Sequence, residues 1–350
     1  MREKGKIKLG ISIGDFNGIG CEVALKTFLD ARMLDFCTPI IFASTKIISK
    51  QKNDLGLTIS FNGIKDAQHA IDGKINIVNI WKETPTVEFG KATEEGGKYA
   101  IKSLRAAVNA LKSDKIDVLV TAPINKNNIQ ADDFKFPGHT DYLAQELNGE
   151  SLMFMVADTL RVGLLTDHIA VKEVAQAITP KLIQEKVRTM EESLKKDFRI
   201  RRPKIALLGI NPHSGDNGTI GEEDDKILKP AIQKLFDKGI LVYGPYSADS
   251  FFGSSGHKKF DAILAAYHDQ GLIPFKTLSF GKGVNYTAGL EKVRTSPDHG
   301  TAYEIAGTGQ ADESSFKEAV FTAIQVFKNR EEYRILNKNP LQKQRVKRTS

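Results

Sequence analysis

The chain has 350 residues, 41% of them hydrophobic and 27% charged, with a formal net charge of +7. That balance excludes a disordered chain and predicts a globular protein of one large or two modest domains. No apolar run approaches the roughly 20 residues that a membrane helix needs, so a membrane partner is not expected.

The opening "MREKGKIKLG" passes from basic residues straight into a strand-like run, without the apolar region of a signal peptide, and a cytoplasmic location is expected. Cys21 and Cys37 form neither a disulfide framework nor a metal-binding pair. From Lys328 onward there are eight basic and two acidic residues, so most of the excess charge lies in one terminal segment. A nucleic-acid footprint would instead cover a face, and no nucleic-acid partner is expected.

Strand-like runs alternate with helical patterns along the chain. "IKLGISIG" (7–14) precedes the helical 18–30, "PIIFAS" (39–44) precedes a short helix, and "INIVNI" (75–80) follows. The stretch 92–114 reads as a long helix, with Ile101, Leu104, Ala107, Val108 and Leu111 on one face. "IDVLVTAP" (116–123) is a buried strand, and a polar loop occupies 125–138. "SLMFMVAD" and "TLRVGLLTDH" read as a hairpin, hence a mixed sheet. Helices at 171–178 and 180–196, strand 204–211, helix 222–238, strands "LVYGPYS" and "FDAILAAY", and a closing helix at about 312–328 complete an α/β fold.

Ligands of open α/β sheets bind at the carboxyl ends of strands. Three of the seven histidines close strands there: His168 after Asp167, His213 in "NPHSGDNG", and His268 beside Asp269 and Gln270. Three imidazoles with neighbouring acids suit a divalent transition ion with positions open for substrate. Their separations of 45 and 55 residues carry no local metal signature, so structural roles stay open beside that reading. His69 and His257 lie in polar surroundings and read as surface residues.

Two stretches suit an anion. "FPGHTDYLAQEL" puts His139 and Thr140 at a helix start, where free N–H groups favour negative charge, although Thr140 could equally be an ordinary N-cap. The segment 273–302 holds Lys276, Lys282, Asn285, Lys292 and Arg294 among glycines, with little periodicity, and reads as an irregular binding loop. No Rossmann fingerprint or Walker loop is present, and Ser12 of "GISIG" sits inside its strand, unlike a nucleophile elbow.

Taken in order, "GDFNGIGCE", "TAPINK", "GHTDYLA", "LLTDHIA", "NPHSGDNGTIGEED", "AAYHDQGLIPFK", "GVNYTAGL" and "RTSPDHGTA" resemble the 4-hydroxythreonine-4-phosphate dehydrogenase family of pyridoxal phosphate biosynthesis, over about 7–328. The resemblance implies two interleaved α/β/α domains with a mixed sheet, similar to isocitrate and isopropylmalate dehydrogenases. The expected division is 1–125 with 280–330, then 126–279 carrying the metal ligands and dimer interface, and 331–350 as a basic tail. It implies His168, His213 and His268 as ligands of one divalent ion per site (zinc, cobalt, manganese or magnesium), gathered from both subunits of a homodimer. His139, Thr140, Lys276, Asn285 and Arg294 become substrate contacts. The implied reaction is oxidation of 4-phosphooxy-L-threonine at C3 by NAD or NADP, then decarboxylation to 3-amino-2-oxopropyl phosphate. Asp249 and Asp269 are candidates for proton transfer or ligand orientation.

The first motif departs from the family pattern, with Phe16 and Cys21 where prolines are usual, and Asp167 stands where a threonine is common. Two alternatives stay open. One is a paralogue oxidising threonate or erythronate 4-phosphate. The other is a non-oxidative phosphate-binding or acyl-phosphate transferase protein on a similar fold.

Overall fold

The computed structural model describes residues 5–131, 134–136 and 138–339. β1 (Ile7–Ser12) leads into α1 (Gly20–Thr27) and the single-turn α2 (Met33–Phe36), followed by β2 (Cys37–Ala43), α3 (Thr45–Asp54), β3 (Phe61–Ile64) and β4 (Ile75–Asn79). α4 (Glu94–Lys112) is the long amphipathic helix expected, and the Thr93 hydroxyl caps it by accepting the Gly96 N–H. β5 (Val118–Thr121) and α5 (His139–Glu146) precede the expected hairpin of β6 (Gly149–Ala157) and β7 (Leu160–Leu164). Then come α6 (Val174–Ala177), α7 (Pro180–Lys196), β8 (Ile205–Leu208), α8 (Lys229–Asp237), β9 (Val242–Tyr246), α9 (Ala248–Gly253) and β10 (Ala262–Ala265). α10 (His268–Ser279), β11 (Val284–Leu290), β12 (Val293–Pro297) and α11 (Ser314–Leu336) close the chain.

All strands join one twelve-stranded sheet in the order β3-β4-β2-β1-β5-β12-β11-β6-β7-β10-β8-β9. β3 through β12 run parallel in that order, the β12–β11, β11–β6 and β6–β7 pairs are antiparallel, and β7 through β9 are parallel again. The sheet is therefore mixed, as the hairpin predicts. Both faces are covered, as parallel strands require. On β5, Val118 and Val120 join the core with Phe316 and Val320 of α11, while Leu119 points to the opposite core with Leu104 and Val108 of α4.

Two expectations are corrected. The stretch 273–302 is not an irregular loop: it lies partly in α10 and contains β11 and β12. Gly271 and Pro274 inside α10 mask its helical character. Gly271 is needed because a Cβ there would come within 3.0 Å of Ala265, Val162 and Leu164. The closing helix does not end near 328 but continues to Leu336. Asn329 and Arg330 anchor this extension on Asp197, at the end of α7: Asn329 Nδ2 donates to its carbonyl at 2.6 Å and Arg330 Nε to its Oδ1 at 2.6 Å. Of the basic tail, residues 340–350 lie outside the described residues.

Candidate functional site

The three strands followed by histidines, β7, β10 and β8, are parallel neighbours, so their carboxyl ends share one edge. His168 and His268 come together there, with ring centroids 5.8 Å apart. Both side chains remain 38% exposed, open to a ligand. His268 opens α10, and its Nδ1 lies 2.7 Å from Asp269 Oδ1. A carboxylate on Nδ1 orients the ring and leaves Nε2 as a lone-pair donor, the arrangement common in metal-binding histidines. Burial, then nearby Lys126, lowers the pKa of His168 and favours the neutral ring that can ligate.

His213 stands apart from this pair. It lies on an exposed left-handed turn after β8, with φ of 52°, and its charged neighbour is Asp249 of α9. Among the described residues, no group of three His, Cys, Asp or Glu side chains is placed to hold a metal ion within one chain. Asp249 accepts from Ser247 Oγ at 2.5 Å, and that bond holds its carboxyl below the usual range. His69 is exposed as expected, whereas His257 is half-buried against Phe252.

Of the anion-binding candidates, His139 lies close enough to the buried Arg294 guanidinium to feel its charge. Arg294, the second residue of β12, is 1% exposed. Its Nε and Nη2 donate to Thr121 Oγ1 of β5 at 3.1 and 2.6 Å, and its Nη1 donates to Thr287 Oγ1 of β11 at 3.0 Å. Among the described residues these hydroxyls are its hydrogen-bond partners, and no carboxylate balances the charge. Burial alone pushes its pKa down to about 9. His139, at the start of α5, has its Nε2 buried with no hydrogen-bond partner among the described residues. Its pKa falls well below 6.5 through burial, then through Arg294 and Lys126. Thr140 is the second residue of α5, so it is not the cap; Gly138 holds that position. Asn285 Oδ1 on β11 is likewise buried and unpartnered among the described residues. Lys276, on α10, is exposed and its Nζ donates to the Asp298 carbonyl at 3.1 Å.

Sequence reasoning missed the residues that support these groups. Lys126 influences both His139 and His168, and so connects the cationic cluster with the paired imidazoles. It follows β5, and the strand-end rule that selected the histidines would have selected it too. Asp15, fully buried after β1, accepts from Tyr303 Oη and Asn128 Nδ2, each at 2.7 Å. It thereby pins three loops together at the carboxyl end of β1. Phe16 and Cys21, the departures from the family motif, are fully buried, with Phe16 against Tyr99.

Comparison with known proteins identifies the family. The model of the family described as pyridoxal phosphate biosynthetic protein PdxA matches residues 35–323. A 4-hydroxythreonine-4-phosphate dehydrogenase of Bacteroides thetaiotaomicron is 49% identical over 98% of this chain and 94% of its own length. A D-threonate 4-phosphate dehydrogenase of Cupriavidus necator is 38% identical over 89% of this chain and 95% of its own. The crystal structure of a 4-hydroxythreonine-4-phosphate dehydrogenase from Burkholderia phymatum superposes with a TM-score of 0.76 at 36% identity, covering 92% of this chain and 99% of that one. Matched over most of its length by sequence and by fold, the chain belongs to the PdxA family of pyridoxal phosphate biosynthetic proteins.

Proposed function

We propose that this protein oxidises 4-phosphooxy-L-threonine at C3 with NAD or NADP and then decarboxylates the product to 3-amino-2-oxopropyl phosphate. The observation that carries the reading is Arg294, a buried cation that has no carboxylate partner among the described residues, beside a His139 Nε2 that is unpartnered among them. A buried charge is tolerated when a partner arrives, and an anionic substrate supplies one. Arg294, His139, Thr140, Asn285 and Lys276 bind its phosphate and carboxylate. A bound nicotinamide would supply the hydride acceptor for C3, and Asp249 and Asp269 are the candidate bases for the hydroxyl proton. The resulting β-keto acid loses carbon dioxide and takes up a proton.

His168 and His268 fit a metal: they are paired, accessible and, at His268, oriented by Asp269. We assign the third ligand, His213, to a second copy of the chain. Bound there, a zinc, cobalt, manganese or magnesium ion would acidify the substrate hydroxyl and favour the charge left by decarboxylation. A homodimer is supported by the apolar surface on α10 and beside His168, where Phe280 is 85%, Val171 77% and Ile273 64% exposed. We divide the chain into two interleaved units, 1–125 with 280–330 and 126–279, and take the enzyme as cytoplasmic. Among the described residues no helix is long and apolar enough to cross a membrane.

A second reading, oxidation of D-threonate 4-phosphate, is favoured by the Cupriavidus necator relative. The deciding experiment measures NAD(P)H and carbon dioxide from a panel of four-carbon hydroxy-acid phosphates, with each cofactor and each metal. We expect the highest kcat/KM with 4-phosphooxy-threonine. A higher value with threonate 4-phosphate selects the second reading, and no NAD(P)H from any member overturns both.

A further inference from the structure

We propose that Asp224 is a positioning residue for His213, holding in place the turn that presents this imidazole. The proposal rests on reading His213 as a metal ligand. From His213 to Gly218, six consecutive residues have positive φ: 52°, 51°, 84°, 43°, 53° and 88°. Four of them (His213, Ser214, Asp216 and Asn217) are not glycine, and side chains rarely adopt this conformation. A run of this kind persists only where its surroundings over-determine it.

Asp224 supplies that constraint from the π-turn that precedes α8. Its side chain is 0% exposed. Oδ1 accepts the Ile210 N–H at 2.9 Å, while Oδ2 accepts the Asn211 N–H and the Asn211 side-chain amide, each at 3.0 Å. The carboxylate thus fixes the two backbone amides just before the turn. It also closes on the turn itself: a Cβ at Gly209 would meet Asp224 Oδ1 and Ser214 Oγ at 2.8 Å each. Gln270, two residues after His268, ties the same point to α10 by donating to the Gly209 carbonyl at 2.7 Å. Both oxygens of Asp224 face donors, so even the isosteric amide turns a donor against a donor.

The test uses the metal-stripped full-length enzyme titrated with Co²⁺ and followed by visible absorbance, with amide hydrogen exchange over 209–221. Asp224→Asn should weaken cobalt binding at least tenfold and speed exchange across the turn, with the circular dichroism of the parent. Asn211→Ala removes one of the three bonds and should shift both readouts in the same direction by less; it decides the matter if Asp224→Asn fails to fold. Parental exchange in the variants overturns the proposal, as does parental cobalt affinity despite faster exchange. If the parent itself takes up no cobalt, the metal reading of His213 fails, and the exchange result alone decides whether Asp224 holds the turn.

Discussion

Burying a guanidinium with no carboxylate beside it among the described residues is costly, and the role proposed for Arg294 trades that stability for binding. Arg294→Ala should lower kcat/KM by at least ~2 kcal/mol, about thirtyfold, through loss of a charged hydrogen bond to the substrate anion. Arg294→Lys should recover little, because the two-pronged donor geometry is lost. Arg294→Met, of similar shape, should unfold at the same or a higher temperature in the absence of substrate, since it removes a buried unpaired charge. Near-normal kcat/KM in the alanine variant would remove Arg294 from the substrate site. His139 gives a prediction of a different kind. Its pKa is depressed in the folded protein by burial, whereas the unfolded ring titrates near about 6.5. Below that pH the unfolded chain binds the extra proton, so the contribution to stability is complete above about 6.5 and is lost as pH falls toward the folded pKa. Melting temperatures measured from pH 8 to 5 should therefore show the parent losing ground to His139→Gln as the solution is acidified. A constant gap between the two would contradict a buried neutral ring.

At the scale of elements, the regular parts of the fold are legible because their burial is simple. β7, β8 and β10 are short apolar runs, and their polar ends carry the candidate histidines, so the same pattern exposes both strand and candidate site. β3 escapes because "FNGI" is a short, half-exposed edge strand without alternation. β11 and β12 escape for a deeper reason. They are central strands, yet Asn285, Thr287, Arg294, Thr295 and Ser296 interrupt their apolar pattern. Polar residues inside a buried strand erase the signal by which the strand is recognised. At α11, Arg330 falls in the basic run counted from Lys328 but is buried. Its Nη2 donates to Tyr286 Oη at 2.7 Å, and Tyr286 Oη donates to Asp197 Oδ2 at 2.6 Å. This triad ties α7, β11 and α11 together. Arg330→Ala should cost about 3–5 kcal/mol in urea unfolding, because Asp197 is left buried without its cation. A loss below about 1 kcal/mol, the range of an exposed ion pair, would show that the helix extension is not anchored there.

At the scale of the whole molecule, the placement of the histidines predicts how two defective chains can repair each other. His168 and His268 share one chain, whereas His213 stands apart from them, and the proposed centre takes the pair from one subunit and His213 from the other. A two-fold dimer has two such centres. Homodimers of His168→Ala, His213→Ala or His268→Ala each lose a ligand at both centres and should be nearly inactive. In a mixed dimer of His213→Ala and His268→Ala, one centre collects both defects and the other collects none. Equal mixing yields about half mixed dimers, so roughly a quarter of the parental activity should return. His168→Ala mixed with His213→Ala should behave in the same way. His168→Ala mixed with His268→Ala should not recover, since every centre then draws its pair from a single damaged chain. The measurement is NAD(P)H formation before and after co-refolding, with size exclusion confirming dimers and mass spectrometry confirming exchange. Recovery in the His168/His268 mixture would mean that these two ligands come from different subunits. No recovery in any mixture, despite demonstrated exchange, would mean that a functional centre is not shared between chains.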